Sequence, residues 1–176
     1  AGAVLNINPF DQPNVQAAKD MTERVLAQFE ASGNLPPMEA SGSVNSLLSQ
    51  ARPGDYLAVM AYIRQTPEVD HALAALRRRV LERHGIATTL GYGPRFLHST
   101  GQLHKGGPAT GLFLQLTADH GEGVSISGVP YTFAGLADAQ ALGDLQALRA
   151  SERRARRVHL GSGDAAAIRR LTAELA

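Results

Sequence analysis

The run Tyr56-Leu57-Ala58-Val59-Met60-Ala61-Tyr62-Ile63 decides the fold. It is apolar at odd and even positions alike, so an extended chain here must bury both faces. Such strands belong to parallel sheets with helices packed above and below. Immediately downstream, Thr66-Pro67-Glu68 announces a helix: a capping hydroxyl, a proline in the first turn, then acid facing the helix dipole. Val69, Leu73, Leu76 and Val80 follow at i, i+4, i+7 and i+11, and His84-Gly85 closes it.

Working outward, strands are expected at Val4–Asn8, Ala87–Gly91, Gly111–Thr117, Val124–Ser127 and Val158–Leu160. Asp11 and Pro13 open a helix striped by Val15, Ala18, Thr22, Val25, Leu26 and Phe29, which Ser32-Gly33 ends. Further helices are expected over Leu136–Ala150, with Gly143 a local weakness, over Ala165–Leu175, and over Val44–Gln50. Ser32–Ser43 and His98–Pro108 read as the two long irregular stretches. Strand–helix alternation of this kind predicts one α/β domain over residues 1–176, a three-layer α/β/α sandwich with a largely parallel sheet.

Composition excludes several classes. With no cysteine, the chain has no disulfide framework, no thiol nucleophile and no thiolate zinc site. Its +1 charge is too balanced to imply nucleic acid or an anionic membrane. No apolar run approaches the ~18 residues that span a bilayer, and Ala1–Asn6 lacks the charged start of a signal peptide. A soluble, cytoplasmic protein is the expectation. Fifteen of the 17 basic residues are Arg, leaving Lys19 and Lys105 as the only lysines. An ammonium can move a proton where a guanidinium cannot, so each marks a place to look for chemistry.

The first such place is Asn6-Ile7-Asn8-Pro9-Phe10-Asp11-Gln12-Pro13, continuing to Lys19. It reads as strand, tight turn and helix start, the geometry that faces the ligand cleft of a parallel sheet. Gln12 and Lys19 are seven residues apart and so project from roughly one face, about 10 Å apart. That suits a polyhydroxylated ligand held by an amide and an ammonium, although an ordinary capped helix with a solvated lysine has the same spacing. The second place is the loop Gly91–Pro108, where Arg95, His98, Ser99, Thr100, Gln102, His104 and Lys105 offer donors to hydroxyls or a phosphate. A loop satisfying its own backbone is the alternative. No Walker spacing occurs, and His98 with His104 lacks an acidic third ligand, so no nucleotide and no metal is expected. Arg149, Arg153, Arg154, Arg156 and Arg157 read as a solvated helix end rather than a nucleic-acid surface, and Asp119-His120-Gly121-Glu122 as a turn.

Asn8-x-Phe10-Asp11-Gln12 with Lys19 seven residues on resembles the C-terminal signature of glucose-6-phosphate isomerases. The resemblance implies that Lys19 is the catalytic lysine associated with sugar-ring opening, with Gln12 lining the same pocket. Typical isomerases end soon after this helix, whereas here about 150 residues follow. Gly91–Pro108, Val129–Phe133 and Ala139–Asp144 are similar to the tail of bifunctional transaldolase/glucose-6-phosphate isomerase proteins. The chain is thereby expected to be the C-terminal piece of such a fusion, with a sugar-isomerase-type fold. It would convert glucose 6-phosphate to fructose 6-phosphate only together with upstream domains, which in that family carry the catalytic glutamate, the ring-opening histidine and the phosphate loop. Sugar phosphate and those upstream domains are the implied partners, with no cofactor; a homo-oligomer is compatible with the sequence. The competing expectation is a non-catalytic sugar-phosphate-binding or interface domain of the same fold.

Overall fold

Tyr56–Tyr62 forms a strand (β1) buried along both faces, and Gly111–Thr117 (β3) beside it is buried at every position. The computed structural model describes residues 1–11, 13–37, 42–121 and 123–175. Ala87–Tyr92 (β2) and Arg154–His159 (β4) complete a four-stranded sheet in the order β2-β1-β3-β4, parallel throughout.

Short helix Val44–Leu48 (α3), Pro67–His84 (α4) and Ala165–Ala173 (α7) cover one face. Their Leu47, Leu73, Leu76 and Ile168 interlock with Leu57, Val59, Leu112, Leu114 and Leu116 of the sheet. The other face meets Phe133–Ala150 (α6), whose Ala141, Leu145 and Leu148 pack on Ala58, Met60, Phe113 and Ala155. The chain is therefore a three-layer α/β/α fold. Helix α4 has the ends its sequence specifies: Thr66 Oγ1 accepts from the Val69 N–H at 3.2 Å, and Gly85 turns left-handed at φ 66°.

Pro13–Ser32 (α2) sits outside these layers and packs on α6 through Val25, Ala139 and Leu142. At Gly143 the two helices are in close backbone contact. A Cβ there would lie 2.6 Å from Thr22 Oγ1 and 2.8 Å from the Thr22 backbone nitrogen. What the sequence shows as a helix weakness is the contact that lets α2 dock.

Several expectations are corrected. Val4–Asn8 is no strand: Gly2–Leu5 forms one helical turn (α1), ended by Asn6 in a left-handed conformation at φ 53°. A strand needs a neighbour to take its N–H and C=O groups, and the described sheet offers this segment none. Val4, Leu5, Ile7 and Phe10 are all exposed. Val124–Ser127 makes only a single antiparallel bridge, Ser125 to Thr132. His98–Pro108 is not irregular: Ser99–Gly106 is a helix (α5), preceded by a 3₁₀ turn at Arg95–Leu97. The arginine cluster is no helix end either. Only Arg149 lies on α6, whereas Arg154, Arg156 and Arg157 belong to β4. Arg154 makes a bidentate pair with Asp55, at 2.6 and 2.9 Å. The irregular stretch at Ser32–Ser43 includes residues 38–41, which lie outside the described residues.

Gly143→Ala would gain up to about 1 kcal/mol of helix propensity. Overlap with the Thr22 backbone costs about 1–3 kcal/mol, because a backbone cannot rotate aside as a side chain can. The variant should therefore unfold at lower denaturant and expose α2 to faster hydrogen exchange. An unchanged midpoint with α2 fully protected would contradict the docking role.

Candidate functional site

The two chemical segments meet. Lys19, with Val15, Ala18, Thr22 and Glu23, projects from α2 into a hollow of about 370 Å³. Pro94, Arg95, Leu97 and His98, just beyond the carboxyl end of β2, form the opposite wall, and Gln140 of α6 contributes to the lining. Lys19 and the Arg95–His98 arm are more than seventy residues apart in sequence yet border one cavity. Lys19, Arg95, the His98 imidazole and one carboxylate, Glu23, thus face a space whose remaining lining is largely apolar.

Each donor differs in how free it is. Lys19 and His98 are exposed, and their side chains make no hydrogen bond or ion pair among the described residues. Arg95 is already engaged: its guanidinium donates to Gln65 Oε1 at 2.7 Å and lies 5.6 Å from the centroid of the Tyr92 ring. Tyr92 in turn donates to Asp70 Oδ1 at 2.6 Å. That hydroxyl is held protonated, its pKa raised by burial first and by the hydrogen bond to Asp70 second.

The remaining described candidates, Thr100, Gln102, His104 and Lys105, do not line the hollow. Gln12 and the Ser99 side chain lie outside the described residues. Thr100 is exposed in the first turn of α5. Gln102 accepts a hydrogen bond from the Asn14 N–H at 3.0 Å, satisfying a donor at the start of α2 that the helix itself cannot pair. His104 is buried against the rings of Phe113 and Phe96, at 4.9 and 6.3 Å. Burial, then the charge of Lys105, lowers its pKa to about 4, so it is neutral at physiological pH. Lys105 is buried and ion-paired to Asp144 at 2.5 Å. Residues of a helix point around an axis, so a helical Ser99–Gly106 turns His104 and Lys105 inward.

Thr22, Glu23 and Gln140 are the lining residues that sequence reasoning missed. Thr22 and Glu23 had a signal, standing one helical turn after Lys19. Gln140 had none, since only tertiary packing of α2 on α6 brings it near.

The carboxyl ends of β3 and β4 gather a second polar group. Thr117 Oγ1 accepts from Arg157 Nε at 3.1 Å and lies 3.1 Å from His159 Nδ1. His159 Nε2 reaches Asp119 Oδ1 at 3.1 Å, and His120 Nε2 lies 3.3 Å from Asp138 Oδ1. The hydrogen bond to Asp138, opposed by burial, raises the pKa of His120. These pairs fasten the chain leaving β3 to α6 and β4. Among the described residues no group of three or more His, Cys, Asp or Glu side chains could hold a metal, and no helix is long and apolar enough to cross a membrane.

A histidine whose folded pKa lies above its unfolded value adds stability that is full below about pH 6.5 and lost as pH rises through the folded pKa. Asp138→Asn should therefore destabilise the protein at pH 5.5 and hardly at all at pH 9, and should lower the His120 pKa followed by NMR. Equal destabilisation at both pH values would reject the ion-pair assignment.

No family model matches the chain, and no curated protein matches it. Among solved structures it is similar to the crystal structure of a hypothetical protein, TT0462 from Thermus thermophilus, at 20% identity and a TM-score of 0.58. The likeness covers 92% of this chain and 42% of that one, so this chain spans less than half the length of its structural neighbour. At that identity the fold is what the two proteins share.

Proposed function

We propose that the chain is the C-terminal part of a sugar-phosphate aldose–ketose isomerase, interconverting glucose 6-phosphate and fructose 6-phosphate within a longer transaldolase fusion. The observation that carries this reading is the hollow shared by Lys19 and the Arg95–His98 arm. Both segments belong to the stretches whose sequence resembles that family.

The reaction opens the sugar ring and then passes a proton between adjacent carbons through an enediolate. Lys19 is placed to give and retrieve the ring-oxygen proton, and His98 to hydrogen-bond a hydroxyl or phosphate oxygen. Val15, Ala18, Pro94 and Leu97 exclude water from the apolar side of the sugar. Glu23 adds a carboxylate, but the carbon-proton base in this reading stays on the upstream part of the polypeptide. A second reading, a non-catalytic interface domain, is favoured by the exposure of Val4 and Phe10, each 89% accessible, together with Leu5 and Ile7.

In the complete polypeptide, Lys19→Ala should lower isomerase kcat by about 100-fold or more, the usual worth of a placed general acid, with fold and transaldolase activity intact. The isolated 176-residue chain should turn over essentially nothing. Loss of affinity or assembly without loss of kcat would favour the interface reading. If Glu23→Gln abolishes turnover as completely as Lys19→Ala, the base belongs to this chain instead.

A further inference from the structure

Lys105 and Asp144 form an ion pair in the interior, their side chains 1% and 0% exposed, on the face of the sheet that carries the hollow. We propose that this pair is a positioning device: it fixes α5 in one register against α6 and so sets the geometry of the hollow. The functional side of this inference rests on the hollow being the ligand site.

The pair joins the two walls. Asp144 lies one helical turn after Gln140, which lines the hollow. Lys105 lies on α5, which begins directly after His98 of the opposite wall. The same helix reaches the third wall, because Gln102 holds the first turn of α2 through Asn14. Arg153 anchors its far end, donating to the Lys105 carbonyl at 2.6 Å and to the Gly107 carbonyl at 2.8 Å. Helix α5 thus touches every segment that borders the cavity.

Two glycines set the packing around the pair. A Cβ at Gly101 would lie 3.2 Å from the Phe96 carbonyl oxygen, so α5 sits close on the wall. Gly93 allows the Tyr62 ring to press against its backbone, where any Cβ would overlap it. Tyr62 packs edge-on to Phe96, between Arg95 and Leu97 of the wall, at 5.5 Å. Removing two charges from water is costly, and an apolar pair of similar size is commonly as stable or more so. What an apolar pair lacks is a single solution: methyl groups tolerate sliding, whereas Nζ and Oδ1 must meet. The ion pair therefore specifies a position that packing alone leaves loose.

The discriminating variant is the double replacement Lys105→Met with Asp144→Leu, which removes both charges and keeps the volume. It should fold with a denaturation midpoint near that of the parent. Amides of residues 95–106 should exchange about 10-fold or more faster, while β1 and β3 keep their protection. In the complete polypeptide, KM for fructose 6-phosphate should rise about 10-fold with little change in kcat, the sign of loosened binding. Native exchange in residues 95–106 would overturn the inference, as would failure of the double variant to fold. Faster exchange with an unchanged KM would support the positioning role and instead overturn the reading of the hollow as the ligand site.

Discussion

Two adjacent strands, β1 and β3, present apolar side chains to both faces of the sheet, and every other element answers that constraint. Neither face can be left to water, so helices must cover both. Parallel pairing then requires each connection to cross from one end of the sheet to the other, which places the turns after the strands along a single lip. The Arg95–His98 arm is such a turn. It follows β2 and is held by Phe96 packed against Tyr62 of β1. The position of the candidate site is thus a consequence of a buried strand pair before any polar residue is considered.

Helix α2 is the exception, because it has no place against the sheet. It docks on α6 at a glycine, where the Thr22 backbone comes closer than any side chain at position 143 would permit. Without that approach Lys19 would belong to a peripheral helix and the cavity would lack a wall. A residue that weakens a helix in isolation is here the one that admits its neighbour. The hollow is therefore built at the meeting of two different packing solutions, sheet-on-helix beneath and helix-on-helix beside.

The sheet and its main helices were legible because their signals are local. An apolar run on both faces marked β1, a short aliphatic run marked β3, and Thr66 with Gly85 bounded α4 as read. The misreadings fall where local and tertiary preferences part. Strand β4 carries arginines because it lies at the edge of the described sheet, where Arg154 reaches Asp55 while buried Arg157 donates to Thr117 of β3. The helix α5 was hidden by glycines at 101, 106 and 107, which read as a loop but serve close contacts with Lys105, Asn14 and Leu103. For Ala3–Ile7 the composition of a strand was present and the partner strand was not, and the chain turned instead. Within the site, Lys19 and His98 could be found from sequence, whereas Gln140 and Asp144 acquire meaning only through the faces of α6.

The two lysines bring these levels together. In a chain that otherwise uses arginine for its positive charges, the two ammonium groups stand in opposite settings. Lys105 of α5 is buried, and its ammonium faces one carboxylate oxygen, Asp144 Oδ1. Lys19 is exposed at the rim of the hollow with no partner among the described residues, so its protons are available to something else. Burial turns the first into a fastener and exposure leaves the second free for exchange, although the sequence presents them as the same residue. Environment, more than residue type, separates the role of holding a site together from the role of acting within it.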